Sequence, residues 1–331
     1  MKIGSLDLGE RPLLLAPMED VTDVSFRVLC REQGAAIVYT EFVNSDGLVR
    51  DVPKTIAKMH TLEEEAPVGI QIYGQHPDAM VDAARMAERA AELTGGHGAD
   101  IVDINFGCPV SKIAGRGAGS GMMREPDKMV AITKAVVEAV GKPVTVKTRL
   151  GWDDNSKIIV ELAERLQDVG IAALTIHGRT RCQLYKGEAD WTLIGAVKAN
   201  PRMHIPIIGN GDITDGPSAK QAFERYGVDG IMIGRATFGH PWIFREIRYF
   251  LEHGEAMPAL SVAEKVALAR RHLALSLQYK GEPRGIYEMR RHLSCYFKGL
   301  PDFKETRMRM VTTLDVAELN DILDTIEQRY D

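Results

Sequence analysis

The amino-acid sequence predicts an α/β fold, in which a (β/α)8 TIM barrel is followed by a smaller C-terminal helical-bundle domain. Eight short runs rich in valine, isoleucine and leucine are each followed by a longer segment with helical spacing. Nearly continuous apolar runs are typical of parallel strands buried on both faces, and eight of them within roughly 240 residues match this barrel. From about Ala263 to the C-terminus only helical spacing remains. We therefore predict a catalytic barrel over residues 1–243 and a helical domain over residues 244–331.

The order of these elements favours a barrel over a doubly wound open sheet. An open sheet needs fewer strands and usually has a glycine fingerprint in its first strand-to-helix turn, whereas that turn here reads APMEDVTD. Outer-layer helices are expected over residues 78–93, 126–140 and 156–169. The predicted strands are residues 12–17, 35–41, 68–74, 99–106, 143–150, 172–178, 205–211 and 229–235.

The composition is that of a soluble globular protein. Apolar residues make up 45% and charged residues 26% of the 331 residues, so neither disorder nor membrane residence is expected. The first ten residues already include Lys2, Asp7 and Glu10, which is unlike an export signal. We therefore expect a cytoplasmic protein.

The four cysteines are predicted to act singly. They lie at least seventy residues apart and form no C-x-x-C pair, which argues against a disulfide framework or a local zinc site, and no metal is expected. Cys108 lies between a strand-like run and a proline, and four glycines follow it closely. The other cysteines, Cys30, Cys182 and Cys295, are expected to be structural.

The C-terminal region is locally basic. Residues 265–310 carry eleven lysines and arginines against four aspartates and glutamates, a charge of +7 in a chain whose formal charge is −5. On charge alone, a solvated helix face is the simpler interpretation. Aromatic residues are interleaved with the basic ones, however, and this mixture suits a surface that contacts a nucleic-acid backbone and stacks on bases. These aromatic residues are Tyr279, Tyr287, Tyr296 and Phe297.

Polar residues cluster where the predicted strands end, and barrel enzymes keep their chemistry at that end. The loops after strands seven and eight form the usual phosphate site of this fold, which glycine amides and an arginine would suit. Singly, each residue has a structural interpretation, such as a paired lysine or a hydrogen-bonded core histidine. Their joint placement indicates a site. The strand-end residues are Pro17, Met18, Gln71, Asn105, Cys108, Lys147, Arg149, His177, Arg179, Asn210, Gly211, Asp212, Gly234 and Arg235.

Two cofactor chemistries fit these residues. A lysine, a histidine, two amides and a phosphate site could hold a flavin mononucleotide, with the lysine and the amides at the electron-rich edge of its ring. Lys147 could instead form a Schiff base with a carbonyl substrate, as in barrel aldolases. The residue pattern alone does not choose between them.

Eight motifs carry a resemblance to a known family. They are APMEDVTDVSFR (16–27), TE (40–41), QIYG (71–74), DINFGCPVSKIAGRGAGSGMM (103–123), VKTRLGW (146–152), HGRTRCQLYKGEADW (177–191), GNGDI (209–213) and IGRATFGHPWIF (233–244). Together they closely resemble the tRNA-dihydrouridine synthases, which are flavin-dependent enzymes, and the chain is most similar to the bacterial B type. The segment MRRHLSCYFKGLP (289–301) also resembles the family's tRNA-binding helical domain. One departure is residues 236–238, Ala-Thr-Phe where Gly-Ala-Gln is more usual, which we expect to affect only a loop.

The resemblance implies a reaction, a cofactor and a catalytic acid. The reaction is the reduction of specific tRNA uridines to 5,6-dihydrouridine, with bound FMN and with NADPH as a transient reductant. Hydride would pass from FMN N5 to uracil C6, and Cys108 of the GCP motif would give a proton to C5. The implied FMN contacts are Pro17, Met18, Gln71, Lys147, His177, Asn210, Gly211, Asp212, Gly234 and Arg235.

A thiol suits the role of the acid. Its ordinary pKa is about 8.5, so it stays protonated near neutral pH but can release its proton as charge develops on the base. We therefore expect that the pKa of Cys108 is not strongly lowered. The glycines that follow predict a flexible loop that could close over the base, and their spacing is not that of a dinucleotide-binding turn. They are Gly115, Gly117, Gly119 and Gly121.

A uridine inside folded tRNA must leave its stack to reach a flavin in the barrel. The helical domain and the barrel rim are therefore predicted to hold the D-loop and elbow region of tRNA. We expect a monomer, with no membrane and no protein partner. The candidate substrate contacts are Asn105, Lys112, Arg149, Arg179, Arg290, Arg291 and Lys298.

Two other functions compete with this hypothesis. A flavin barrel could reduce a free pyrimidine or another small enone, although such an enzyme needs no basic helical domain. A tRNA-binding chaperone could keep the fold without turnover, but the joint presence of Cys108, Lys147 and His177 argues against it.

Overall fold

The computed structural model describes all residues, Met1–Asp331, and eleven strands and fifteen α-helices form its framework. The strands are β1 Lys2–Ile3, β2 Leu6–Asp7, β3 Leu13–Leu15, β4 Val38–Tyr39, β5 Val43–Asn44, β6 Val68–Tyr73, β7 Ile101–Phe106, β8 Val144–Arg149, β9 Ala173–His177, β10 Ile207–Asn210 and β11 Gly230–Ile233. The helices are α1 Val24–Glu32, α2 Ser45–Val49, α3 Pro53–Ala57, α4 Pro77–Glu88, α5 Ala90–Thr94, α6 Ser111–Ala114, α7 Pro126–Ala139, α8 Ile159–Asp168, α9 Thr192–Ala199, α10 Gly216–Tyr226, α11 Ile243–His253, α12 Val262–Lys280, α13 Arg284–Tyr296, α14 Lys304–Thr312 and α15 Val316–Tyr330. Short 3-10 helices cover Glu63–Glu65, Gly119–Arg124 and Arg235–Thr237.

The main sheet closes into a parallel barrel. From β6 to β11, each strand pairs in parallel with the next one along the chain, and β11 pairs with β3. On the other side, β4 pairs with β6, and β5 extends that contact. A parallel bridge between Leu14 of β3 and Ile37, the residue before β4, completes the ring. The predicted (β/α)8 barrel is therefore confirmed.

All eight predicted strands are present, each shorter than predicted by one to five residues. The buried apolar runs form them because helices cover their outer face and side chains fill the barrel interior. The sequence did not predict the β1–β2 hairpin. Ile3 and Leu8 of this N-terminal segment pack with Ile101, Ala173 and Ile208 inside the barrel, so the hairpin closes the end of the barrel opposite the strand C-termini.

The barrel and the C-terminal helices bury separate apolar cores. Helices α12 to α15 bury their own core, which includes Leu273, Met289 and Ile322. Helix α11 belongs with the barrel, because Ile243 and Ile247 pack in the barrel core. The exact boundary near residue 243 stays a prediction. None of the helices has the length and apolar character needed to cross a membrane.

The helical domain docks on α1 of the barrel. The Phe26 ring lies against His272 and His292, with ring centroids 5.4 and 4.2 Å away. At one end of this contact Lys280 pairs with the partly buried carboxylate of Asp23. Burial lowers the pKa of both histidines, to about 4 for His292, so these rings are neutral at physiological pH. The interface thus joins apolar stacking to a charged pair and holds α13 near the barrel mouth.

Candidate active site

A cavity of about 760 Å³ opens at the C-terminal end of the barrel strands. Its volume lies in the usual range for a small-molecule site. The predicted residues that line it are Pro17, Met18, Asn105, Cys108, Lys147, Arg149, His177, Asn210, Gly211, Asp212, Gly234, Arg235 and Arg291. The predicted residues that do not line it are Gln71, Lys112, Arg179, Arg290 and Lys298. Strand ends that are far apart in sequence therefore meet at one site, as a parallel barrel requires.

Cys108 lies on the wall of this cavity and is 8% exposed. Its backbone is held on both sides: its N–H donates to Asn105 Oδ1 at 2.9 Å, and its carbonyl accepts from the Ser120 hydroxyl at 2.8 Å. Burial raises the pKa of the thiol, while the Val110 N–H and the charge of Arg149 act against this rise. The side chain is thus a protonated thiol at neutral pH, with groups beside it that stabilise a thiolate once it forms.

The glycine segment after Cys108 is packed and ordered rather than a free loop. Gly119 has φ +53°, and a Cβ there would lie 3.0 Å from the Cys108 carbonyl oxygen. At Gly121, a Cβ would lie 2.4 Å from the Ala114 carbonyl oxygen. This part of the segment is therefore a 3-10 helix packed against Cys108 and not the predicted loop, and the two glycines allow this close packing.

Three basic side chains gather on the cavity wall. Burial, with the charge of Arg149 next, lowers the pKa of Lys147 to about 8. Burial and the charges of Arg149 and Lys147 lower the pKa of His177 well below its ordinary value, so this imidazole is neutral. Arg149 is fixed by the carbonyls of Gly107 and Thr180, at 2.8 and 2.9 Å. The wall therefore offers two cations and one neutral imidazole to a ligand.

Asp212 organises the loop after β10. It adopts φ +55° and accepts hydrogen bonds from both terminal nitrogens of Arg179, at 3.0 and 2.7 Å. Arg235 donates to the same carboxylate at 3.0 Å, and the Ala189 N–H donates to it at 2.7 Å. Burial opposes ionisation of Asp212, but the bonds from Arg179 and Ala189 outweigh it and the pKa lies below its ordinary value. Arg179 is 2% exposed, so its guanidinium positions Asp212 rather than facing a tRNA phosphate.

Gln71 lies behind the cavity wall. It is fully buried, and its amide bonds to Asp103 on one side and to Asn105 on the other, at 2.6 and 2.8 Å. Both polar atoms of this side chain are therefore already engaged by protein groups.

Of the three candidate tRNA contacts in the helical domain, only Arg291 lines the cavity. Arg291 lines the cavity and lies over the Phe238 ring, 5.9 Å from its centroid. Lys298 is exposed at the end of α13, and Arg290 lies over Tyr287 and donates to the Thr312 carbonyl. Other basic residues of this segment are neutralised by ion pairs, including Arg270, Arg271, Lys280, Arg284 and Arg309. The positive charge available to a partner is therefore smaller than the sequence count suggests.

Two of the aromatic residues predicted to stack on bases belong to the core. Tyr296 and Phe297 are each 2% exposed and pack inside the helical domain. Their helix face points inward, so this part of the prediction is wrong. Tyr287 is 61% exposed and remains available.

Sequence reasoning did not single out several cavity residues. Tyr185 is half-exposed at the cavity mouth, and the guanidinium groups of Arg149 and Arg235 lie 5.4 and 5.1 Å from its ring centroid. Phe42 and Phe238 also line the cavity, so the unusual residues 236–238 affect the site and not only a loop. Two signals were available, since Tyr185 lies within the quoted HGRTRCQLYKGEADW motif and Phe238 within the quoted IGRATFGHPWIF motif.

Fold and site together define a (β/α)8-barrel enzyme whose cavity combines apolar walls, several cations and one protonated thiol. The model of the family described as "Dihydrouridine synthase (Dus)" matches residues 14–330 of the chain. This protein therefore belongs to the dihydrouridine synthase family.

Curated relatives agree over the full chain. "Probable tRNA-dihydrouridine synthase" of Rickettsia conorii is 40% identical over 93% of this chain and 90% of its own length. "tRNA-dihydrouridine synthase B" of Vibrio cholerae is 39% identical over 100% of this chain and 99% of its own. The protein of the same name in Pseudomonas aeruginosa is 40% identical over 99% and 93%. Within the family, the chain is of the B type.

Solved structures show the same barrel at low sequence identity. Morphinone reductase is 14% identical, with a TM-score of 0.52 over 78% of this chain and 90% of its own. Histamine dehydrogenase from Rhizobium sp. 4-9 is 12% identical, with a TM-score of 0.56 over 100% of this chain and 64% of its own. At these identities the likeness establishes the fold alone.

Proposed function

We propose that this protein is a tRNA-dihydrouridine synthase that reduces uridines in tRNA to 5,6-dihydrouridine, with bound FMN and with NADPH as the reductant. The observation that carries the proposal is the placement of Cys108, whose protonated thiol shares one cavity wall with the predicted cofactor residues. Family membership favours this reaction over the reduction of a free pyrimidine and over Schiff-base chemistry at Lys147.

The cavity suits a flavin. Pro17, Met18 and Ile233 give it an apolar wall for a flat ring, and Lys147 offers a donor to the polar edge of that ring. At Gly234 a Cβ would project between Met18 and Ala16, 3.5 and 3.6 Å from their nearest atoms, so the absence of a side chain leaves room on this wall.

The other cofactor residues would serve the phosphate and the ring. Arg235 and the backbone of Gly211 and Gly234 would hold the phosphate, at the position where barrels of this type bind one. Asn210 is fixed by a 2.8 Å bond from its Nδ2 to the Met232 carbonyl, which leaves its carbonyl oxygen for the ligand. Bound FMN, once reduced, would supply the hydride for uracil C6.

Cys108 would act as the general acid. The S–H proton goes to C5 as negative charge develops on the base, and the sulfur is left as a thiolate beside the Val110 N–H and Arg149. Asn105 lines the same cavity and would bind the base near this thiol. A raised thiol pKa suits this task, because the proton must still be present when the substrate arrives.

The helical domain would hold the rest of the tRNA. Arg291 brings a cation of this domain to the cavity rim, and Lys298 offers a second exposed cation on the same segment. A uridine extruded into the cavity would pass Tyr185, whose exposed ring can stack on a base. We keep Lys112, Arg290, Arg291 and Lys298 as proposed phosphate contacts, and we assign Arg149 and Arg179 to the inner wall and its support.

The direct test uses two substrates. Purified protein, with its flavin identified by absorbance and mass spectrometry, is incubated with NADPH and either unmodified tRNA or free uridine. Dihydrouridine is then measured in the digested nucleosides. We expect dihydrouridine to form from tRNA and not from free uridine. Product from free uridine only, or no product despite a flavin that NADPH reduces, would contradict the proposed substrate.

A further inference from the structure

A chain of buried hydrogen bonds runs from Asp103, on β7, to the backbone that carries the Cys108 thiol. Gln71 Nε2 donates to Asp103 Oδ2 at 2.6 Å, and Asn105 Nδ2 donates to Gln71 Oε1 at 2.8 Å. Asn105 Oδ1 then accepts the N–H groups of Gly107 and Cys108, both at 2.9 Å. Three side chains therefore connect the barrel interior to the cysteine turn.

The two ends of this chain fix its direction. An ionised carboxylate only accepts hydrogen bonds, and a backbone N–H only donates them. Gln71 must therefore turn its NH2 group toward Asp103 and its oxygen toward Asn105. Asn105 must in turn present its oxygen to the cysteine turn. If either amide rotated by half a turn, two donors or two acceptors would face each other in a buried site.

Asp103 has no contact with the cavity that would explain its burial. It is 2% exposed and does not line the cavity, and its second oxygen accepts the Thr145 hydroxyl at 2.5 Å. Burial raises its pKa to about 6, with the bonds from Thr145 and Gln71 and the charge of Lys147 acting against the rise. Tyr39, whose own pKa is raised partly by Asp103, is the other titratable neighbour. The carboxylate is thus ionised at pH 8.

We infer that Asp103 is a positioning residue, which acts through Gln71 and Asn105 to place the Cys108 thiol against the base. The inference rests on the proposed function, since it assigns Cys108 the role of the acid. It also gives Gln71 a role at its position behind the cavity wall, because its amide is the middle link of the chain.

Three substitutions separate positioning from simple support of the fold. Asp103→Ala removes the acceptor that orients Gln71, and we expect kcat to fall by about ten- to a hundredfold, since small misplacements of a reacting group are costly. Thr145→Val removes the other hydrogen bond to the same carboxylate and leaves the chain to Cys108 intact, so kcat should change little. Asp103→Asn can still offer an oxygen to Gln71 while Thr145 accepts its NH2 group, and it should keep most of the activity.

A double-mutant cycle tests whether the chain acts as one unit. Asn105→Ala breaks its last link. If Asp103 acts through Asn105, the double variant with Asp103→Ala is no slower than Asn105→Ala alone. The Asp103→Ala loss should appear in kcat with tRNA, with the KM for tRNA and the flavin content unchanged. Should Asp103→Ala not fold, Gln71→Met replaces it, because it removes the middle link with a side chain of similar size.

A second measurement does not depend on turnover. Alkylation of Cys108 by iodoacetamide at pH 8, followed by peptide mass spectrometry, reports the placement of the thiol directly. We expect the alkylation rate to change severalfold in Asp103→Ala and to stay at the wild-type value in Thr145→Val. Equal effects of the two variants, or losses in kcat that multiply in the double variant, would overturn the inference. A wild-type protein that forms no dihydrouridine would instead refute the proposed function, and the alkylation rates would still test the chain.

Discussion

The Asp212 carboxylate gives the sharpest prediction about what holds the site together. Asp212→Asn keeps the shape of the side chain, and asparagine tolerates the left-handed backbone found at φ +55°. It removes the charge that faces Arg179, whose guanidinium is 2% exposed. The substitution therefore leaves a buried cation without its counter-charge.

The expected loss of stability follows from the solvent exposure of the Asp212 and Arg179 side chains. Breaking a buried ion pair by removing one partner costs about 3–5 kcal/mol, and an exposed pair contributes about 0–1 kcal/mol. Asp212 is 35% exposed, and Arg179 keeps its bonds to the carbonyls of Lys186 and Gly187, so we expect a loss of about 2–3 kcal/mol. In a chain of 331 residues, that loss lowers Tm by roughly 3–4 °C.

The control is Arg235→Gln, which removes the more exposed partner of the same carboxylate. Arg235 is half-exposed, so its loss should lower the free energy of unfolding by less than about 1 kcal/mol. Thermal unfolding of flavin-free protein is followed by circular dichroism at pH 7.

Because the pKa of Asp212 is lowered in the folded state, the stabilisation by this carboxylate is complete above its ordinary pKa and is lost as pH falls through the pKa of the folded state. The gap between the wild type and Asp212→Asn should therefore shrink below about pH 4. Equal Tm values for the two variants at pH 7 would refute this reasoning.

Three further predictions concern the ligands and the cysteine turn. Arg291→Glu should weaken tRNA binding in a filter-binding assay and reduce the slope of log affinity against log salt concentration by about one unit. Lys134→Glu, on the outer face of α7, is the control and should change neither quantity. Lys147 loses its charge as pH rises through about 8, so the flavin affinity of the wild type should fall over this pH range. In a fluorescence titration, Lys147→Met should bind flavin more weakly at all pH values and show no fall in affinity near pH 8. Gly119→Ala should lower kcat, because the new Cβ would press on the segment that carries the thiol. Gly95 also has a positive φ, but a Cβ there would meet no atom within 4 Å, so Gly95→Ala should lower only Tm.

The barrel could be predicted from sequence because its strands are buried on both faces. Runs such as residues 99–106 and 143–150 contain enough valine and isoleucine to be recognised without any partner strand. The β1–β2 hairpin could not be predicted, since each of its strands has two residues and its stability comes from Ile3 packing inside the barrel. Local pattern carries no signal for such a contact.

The cofactor wall could also be predicted, because the C-terminal ends of parallel strands meet at one edge. Lys147, His177 and Asn210 come together for this reason alone. Sequence reasoning failed where contacts depend on the direction of a side chain. It could not distinguish the exposed Tyr287 from the buried Tyr296 on the same helix, and it did not show that Arg179 is committed to Asp212.

The placement of the helical domain lay beyond any local pattern. Arg291 reaches the cavity because His272 of α12 and His292 of α13 pack on Phe26 of α1. These segments lie more than two hundred residues apart in the chain. The charge count over residues 265–310 indicated a polyanion partner, but many of those charges are paired within the fold.

The most direct test of the proposed chemistry is a single turnover with Cys108 changed. Protein reduced beforehand is mixed with unmodified tRNA without oxygen, and dihydrouridine is measured over time for the wild type, Cys108→Ala and Cys182→Ala. Cys182 is an exposed cysteine outside the cavity and serves as the matched control. We predict product at equal rates from the wild type and Cys182→Ala, and a rate lower by about a hundredfold or more in Cys108→Ala. Wild-type rates in Cys108→Ala would contradict the assignment of this thiol as the acid.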